Sequence, residues 1–223
     1  MKKILFLCCM LLVLAGCGDT QGNQPASAGG AEVTTKKAEK KLEPIELELT
    51  SGNYTAGIDI PAGKYDIEAL KGNGNVMSTN MYNGGINAIL GYPSNGLNEQ
   101  LYENVKLPKD TVLTIAGGVV VKITSESVDK NSLAARNQSI KDSVDLGNGH
   151  FIAGEDFTEG VYNIVAVSGG GNVSSSNMYS GGINAIMGKP AGDFYEVEYK
   201  NIDLPKGTEL SIDGVKIKLV PSK

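Results

Sequence analysis

GNGNVMSTNMYNGGINAILG (residues 72–91) returns as GGGNVSSSNMYSGGINAIMG (residues 169–188), with 15 of 20 positions identical. The same shift of 97 residues aligns residues 52–115 with 149–212 without a gap, and 33 of 64 positions match. Past this point one residue is deleted, since Gly117-Gly118 faces Gly214 alone. Self-similarity at a fixed shift marks a duplicated structural unit, and two copies are too few for a solenoid. The sequence therefore predicts two homologous domains or one pseudo-symmetric pair.

The hydrophobic pattern inside each copy has a period of two. Tyr65, Ile67 and Ala69 alternate with acidic residues, and the second copy repeats this apolar face at Tyr162 and Ile164. Such alternation is typical of half-buried strands, and the Pro- and Gly-rich segments between them are typical of turns. We expect strands over residues 64–69 and 161–166. The predicted fold is all-β, with two tandem small antiparallel β-sandwich or barrel-like domains after a disordered tether.

These patterns divide the chain into five segments. They are a signal peptide (1–16), a lipidated cysteine and flexible tether (17–48), β-repeat domain 1 (49–126), a linker (127–145) and β-repeat domain 2 (146–223). The tether is rich in Gly, Ser, Ala, Gln, Lys and Glu, a composition that buries too little apolar surface to offset the entropy of ordering. The only helix that the spacing favours is a short one in the linker, around residues 132–144.

The N-terminus carries the most specific motif. Lys2 and Lys3 precede an apolar run over residues 4–15, which is shorter than the roughly 20 residues of a membrane-spanning helix. The run ends in Leu14-Ala15-Gly16-Cys17, which resembles the lipobox of bacterial lipoproteins. In that family the cysteine receives diacylglycerol and becomes the first residue after cleavage. The resemblance implies a chain held by Cys17 on the outer face of the cell membrane.

Composition argues against several classes of function. The net charge is −5, which disfavours binding to the phosphates of nucleic acids. All three cysteines lie within the first 17 residues and His150 is the sole histidine, so a thiolate or multi-histidine metal site is not expected. A glycine-rich turn surrounds His150, which favours a surface position. We expect no cofactor and no metal.

The best-preserved part of the repeat contains the candidate ligand-binding residues. In one interpretation the paired glycines and the asparagines serve the turn itself, since both residue types favour turn conformations. In the other, amides and a tyrosine ring form a shallow groove for a sugar or a peptide backbone. The candidate residues are Asn75, Asn80, Tyr82 and Asn87 in the first copy and Asn172, Asn177, Tyr179 and Asn184 in the second.

Three functional hypotheses follow. The first is a non-catalytic envelope module that binds a cell-wall polysaccharide or a surface protein through the two Asn/Tyr segments. The second is a spacer lipoprotein without a ligand. The third is a hydrolase that uses carboxylates, because no other acid–base pair is available. The acids shared by both copies are Asp59 with Asp156 and Glu99 with Glu196. We favour the first hypothesis, in which the protein is not an enzyme.

The repeat as a whole also resembles a known type of module. Ile60-Pro61-Ala62-Gly63-Lys64-Tyr65 is similar to the start of uncharacterised β-domains in surface lipoproteins of Gram-positive bacteria. The second copy departs from that start, with Phe157-Thr158-Glu159-Gly160-Val161-Tyr162. The resemblance implies a location and a fold class and no activity.

Overall fold

A computed structural model describes residues 41–190 and 195–223. The signal peptide, Cys17 and the tether up to residue 40 lie outside the described residues. The described part is all-β, which confirms the predicted class, and it contains one short 3-10 turn, Lys130–Ser132. No helix within it is long and apolar enough to cross a membrane.

Each copy contributes a corresponding series of strands. The first copy has β1 (Glu43–Leu49), β2 (Gly52–Thr55), β3 (Gly63–Ser78), β4 (Asn87–Tyr92), β5 (Leu101–Leu107), β6 (Val112–Ala116) and β7 (Val120–Val128). The second has β8 (Val144–Leu146), β9 (Gly149–Ile152), β10 (Gly160–Ser175), β11 (Asn184–Lys189), β12 (Glu198–Leu204) and β13 (Glu209–Pro221). The long β13 corresponds to β6 and β7 together. The strands predicted over 64–69 and 161–166 are confirmed as parts of β3 and β10.

The alternation in the sequence builds a separate core in each copy. Tyr65, Ile67 and Ala69 are fully buried in one hydrophobic cluster, and their counterparts Tyr162 and Ile164 are buried in another. Nearly all strand pairs are antiparallel, as the short hairpin connections require. The two clusters are thus the interiors of the two copies.

The copies are joined rather than separate. Their strands belong to one 13-stranded mixed sheet, in which β2 of the first copy pairs with β12 of the second through a parallel bridge between Gly52 and Lys200. We call the contact between the copies the seam: β2 against β12, together with the side chains of Asn53, Arg136 and Glu196. The seam is what the sequence pattern did not reveal.

Two predicted features differ from the structure, namely the end of the tether and the helix in the linker. The tether was expected to reach residue 48, but β1 begins at Glu43 and pairs with β7, because Ile45, Leu47 and Leu49 turn an apolar face to the first core. The helix expected around residues 132–144 does not form. Residues 133–143 have no regular structure and lie along both copies, where their side chains make specific contacts.

Candidate functional site

The two candidate tyrosines stand at the tips of equivalent hairpins. Tyr82 lies in the turn that joins β3 to β4 and is 93% exposed, while Tyr179, in the turn between β10 and β11, is 85% exposed. Each turn follows the long strand that runs through its copy's core. A large aromatic side chain is therefore presented to solvent from both copies at the same position of the fold.

The neighbouring asparagines hold these turns closed. The side-chain amide of Asn80 donates to the carbonyl of Lys106 at 2.9 Å, and that of Asn177 donates to the carbonyl of Asp203 at 2.8 Å. The backbone carbonyl of Asn80 also accepts the N–H groups of Asn83 and Gly85. Asn80 and Asn177 are thus used by the fold, as the turn interpretation of the motif expects.

The repeated Gly-Gly pair also has a structural cause. Gly84 has φ of +82°, a conformation that favours glycine. A Cβ on Gly85 would lie 2.1 Å from the Ser78 hydroxyl oxygen, which accepts the Ile86 N–H at 2.9 Å. Much of the identity between the two motifs therefore reflects the packing of the turn.

The other four candidate asparagines lie on exposed hairpin faces. Asn75 of β3 is opposite Ile89 of β4, and Met77 is opposite Asn87, so these side chains share one face of the sheet. In the second copy Asn172 is opposite Ile186, and Ser174 is opposite Asn184. All four asparagines are exposed, and Ile89 and Ile186 are about half exposed, at 48% and 53%. We call these two surfaces the hairpin faces.

A concave surface of the first copy lies away from the candidate residues. A groove of about 750 Å³ runs beside β1, β3 and β7 and is lined by Lys64, Asp66, Asn104 and Glu126, among others. None of the eight candidate residues lines it. It forms because the ladder between β3 and β7 ends at Asp66, after which β7 follows β1.

The second copy fills the corresponding place with the linker. The Gln138 side chain accepts the Val161 N–H at 2.9 Å and donates to the carbonyls of Val161 and Ser222. Val161 and Ser222 correspond to Lys64 and Glu126 of the groove. Ile140 packs against the second core beside Gly160. Within the described residues, the linker therefore occupies in the second copy the place that stays open in the first.

The shared acids have separate structural roles. Asp59 accepts the Thr55 N–H at 2.8 Å and Asp156 accepts the Ile152 N–H at 2.7 Å, so each closes the turn after its strand. Glu99 is exposed on the first copy. The described residues contain no group of three or more His, Cys, Asp or Glu side chains arranged to hold a metal ion.

Glu196 is the shared acid that bonds directly to the other copy. Its Oε1 accepts the N–H of Gly117 from the first copy at 2.8 Å. Burial raises the pKa of Glu196 above its ordinary value, and hydrogen bonds from Ser51 and Gly117 partly oppose this change. Glu196 thus lies between the surfaces of the two copies and has a structural role there.

His150 lies at the surface, as the sequence suggests. Its side chain is 75% exposed, and Nδ1 lies 2.9 Å from both Glu209 Oε1 and Ser211 Oγ. The corresponding residue of the first copy is Asn53, which is buried in the seam.

The sequence analysis missed the residues that join the copies. The Asn53 amide donates to the carbonyls of Gly181 and Gly182 at 2.8 and 3.0 Å, and the Lys200 N–H donates to the Ser51 carbonyl at 3.0 Å. Arg136 of the linker bonds to Asp59 of the first copy, and its charge also acts on Asp203 of the second. One signal was available, because Arg136 is the only arginine in the chain.

Comparison with known proteins adds no relative to this description. No protein-family model matches the chain, and no curated protein matches it at a significant level.

Proposed function

We propose that the chain is a lipid-anchored, non-catalytic binding module on the outer face of the cell membrane, and that it binds a cell-wall polysaccharide or a surface protein through its two hairpins. The observation that carries this proposal is the exposure of Tyr82 and Tyr179, at 93% and 85%, on turns that internal hydrogen bonds hold in place.

Such a tyrosine is well suited to recognition. Its ring offers a large contact area with few rotatable bonds, and its hydroxyl can bond to a polar partner. The asparagines of the hairpin faces supply amide donors and acceptors beside an exposed isoleucine, a mixture that suits neutral polar surfaces. The residues of the hairpin faces do not line the groove beside β1, so an extended polymer or a protein is the class of ligand that we propose for them.

The duplication strengthens weak binding. Two equivalent hairpins on one chain convert the second contact into an intramolecular event with a raised effective concentration. A chain anchored next to a polymer of repeated ligand units would gain effective concentration in the same way.

The anchor is proposed from the sequence alone. Leu14-Ala15-Gly16-Cys17 has the order and position of a lipobox, and two acyl chains would hold the protein stably on a membrane. The Cys17→Ala variant should be released from the membrane or remain unprocessed. Full membrane retention of a cleaved Cys17→Ala chain would contradict the anchor.

We also propose that each copy is a domain of its own. The support is the pair of hydrophobic clusters, since each core consists almost entirely of residues from one copy. In that case the seam is a contact between domains rather than part of a common core.

A retention experiment tests the binding proposal. Purified residues 41–223 are incubated with isolated cell-wall material and compared with the Tyr82→Ala/Tyr179→Ala double variant. The Tyr92→Ala variant is the control, because Tyr92 is also exposed but is replaced by lysine in the second copy. We expect the double variant alone to lose retention, by roughly tenfold or more.

The other outcomes separate the alternatives. Equal retention of all three proteins would remove the two tyrosines from the binding site. Absence of retention for every protein would favour the spacer function, which has its own support in the structural roles of Asn80 and Asn177.

A further inference from the structure

The seam joins two different surfaces. The first copy contributes β2 and the second contributes β12, while their counterparts β9 and β5 take no part. A contact between unlike surfaces of a repeated unit always leaves one surface of each kind unused at the two ends. Here the unused surfaces are β5 in the first copy and β9 in the second.

The β5 edge has the apolar surface that β12 buries. Among the described strands β5 pairs with β3 alone. Tyr102 on β5 is 37% exposed, whereas the corresponding Tyr199 on β12 is 2% exposed. Leu101 beside it is 49% exposed and corresponds to Glu198, so this edge is more apolar than its buried counterpart. An unpaired strand edge with exposed apolar side chains readily pairs with another strand.

The β9 edge keeps the features that β2 uses. Gly52 has φ of +157°, and a Cβ there would lie 2.8 Å from Lys200, so glycine permits the close approach of β12. The corresponding Gly149 has φ of +151°, and the side chain of Phe151 from its own strand lies against it, with the nearest ring atom 3.2 Å from where a Cβ would stand. Phe151 takes the place of Tyr54, and both are aromatic.

The hydrogen-bonding groups also correspond. Asn53 donates to the carbonyls of Gly181 and Gly182. Its counterpart His150 has Nδ1 beside Glu209 and Ser211, which leaves the second ring nitrogen, Nε2, as the atom that could donate to a partner. The carbonyls that correspond to those of Gly181 and Gly182 belong to Gly84 and Gly85, next to the end of β5.

We propose that a second copy of this chain docks on the free edge, with β9 of one molecule against β5 of the next, in the arrangement that the seam shows within one molecule. In this arrangement the Phe151 ring turns away from Gly149 and onto Tyr102, and Gly149 then faces Glu103 as Gly52 faces Lys200. The contact is head to tail, so it leaves a free edge at each end and can continue beyond a dimer.

The contact between molecules is weaker than the seam. It lacks the linker, whose Arg136 connects the copies within one chain. Asp213 also replaces Ala116, which packs against the second core at the seam. Association therefore depends on a high local concentration of the chain.

Disulfide trapping in the full-length chain tests this proposal. Asn148 and Glu103 correspond to Ser51 and Lys200, which are bonded through their backbones at the seam. One tagged chain carries Asn148→Cys and a chain with a different tag carries Glu103→Cys, and the two are expressed together and oxidised. The native chain gives the background from its own cysteines. The Ser51→Cys/Lys200→Cys chain shows that this geometry permits a disulfide.

We expect a disulfide-linked pair that contains both tags, formed only when both single variants are present. Tyr102→Glu in the Glu103→Cys chain should reduce the linked pair by roughly tenfold, because it places a charge in the contact. Tyr92→Glu, outside the edge, should leave it unchanged. Two results would overturn the proposal: no mixed pair above background while the seam control oxidises, or equal linkage of either single variant with itself.

Discussion

Tyr102 and Tyr199 occupy the same position in the two copies, yet one is 37% exposed and the other 2% exposed. The strands that carry them have the same length and the same bulge, at Asn104 and Asn201, which both have positive φ. The neighbouring strand differs, since β12 lies against β2, whereas β5 has no second partner among the described strands. The seam, rather than the local sequence, therefore decides which of these two equivalent tyrosines is buried.

The sharpest test of this comparison is the same substitution at both positions. Tyr199→Ala should lower the free energy of unfolding by about 3–5 kcal/mol, because it removes a buried aromatic ring. Tyr102→Ala should cost about 1 kcal/mol, since its ring is partly exposed already. Urea denaturation of the two variants measures both values. Equal losses would mean that the seam does not bury Tyr199 in solution.

The next largest effect is expected at the linker. Arg136→Ala removes one member of an ion pair in which both side chains are only 10% exposed, so the loss should be about 3 kcal/mol. The matched pair Asp59→Asn and Asp156→Asn provides the control. Both change the acid that closes a turn, but only Asp59 bonds to Arg136. A similar stability for these two asparagine variants would contradict a role for Arg136 in joining the copies.

A smaller difference is expected between Asn53 and His150. Asn53→Ala removes the side-chain donor to the carbonyls of Gly181 and Gly182, of which that of Gly181 still accepts the Asp203 N–H, and it should cost about 2 kcal/mol. His150→Ala changes an exposed side chain and should stay within about 0.5 kcal/mol. Thermal unfolding of the dilute variants compares the two. A loss at His150 as large as that at Asn53 would show that the free edge is buried even at low concentration.

The smallest effect concerns pH. Because burial raises the pKa of Glu196, the folded chain holds this proton to a higher pH than the unfolded chain does. The protonated Glu196 side chain therefore contributes to the stability of the fold at the ordinary pKa of a glutamate and below it. This contribution to stability is lost as the pH rises through the raised pKa that Glu196 has in the folded chain. In the Glu196→Gln variant, the free energy of unfolding should therefore fall less steeply as the pH rises above the ordinary pKa of a glutamate. Asp203, whose pKa burial also raises, is present in both proteins and cancels in the comparison.

An unchanged pH profile in the Glu196→Gln variant would mean that this carboxyl is solvated at the seam. Glu99→Gln serves as the control, because Glu99 occupies the corresponding position on the exposed edge.

The sequence was sufficient for the class of fold and for the strands of the repeat, because alternation and duplication are local signals. It was also sufficient for β1 in principle, since Ile45, Leu47 and Leu49 alternate with Glu46 and Glu48. The charged residues around this segment favoured a disordered tether instead of a strand. The seam could not be predicted, because Gly52 and Gly149 look alike in sequence and only the register between the copies distinguishes them.

The exposure of the candidate residues could be predicted in part, while their role in binding stays a prediction. Tyr82 and Tyr179 are exposed, as a binding role requires, and four of the asparagines share faces with exposed isoleucines. The sequence could not show that Asn80 and Asn177 turn inward, because this depends on the carbonyls of Lys106 and Asp203, which come from another strand.

The single bridge between β2 and β12 also has a mechanical consequence. When the molecule is stretched from its two ends, the load passes from the first copy to the second through this bridge, a few side-chain bonds and the linker. Each copy has long antiparallel ladders, so we expect the seam to yield first. Residues 133–143 would then straighten to a contour length of roughly 35 Å while both cores stay folded. The two copies could thus separate under load, with the linker extended between them, without either copy unfolding.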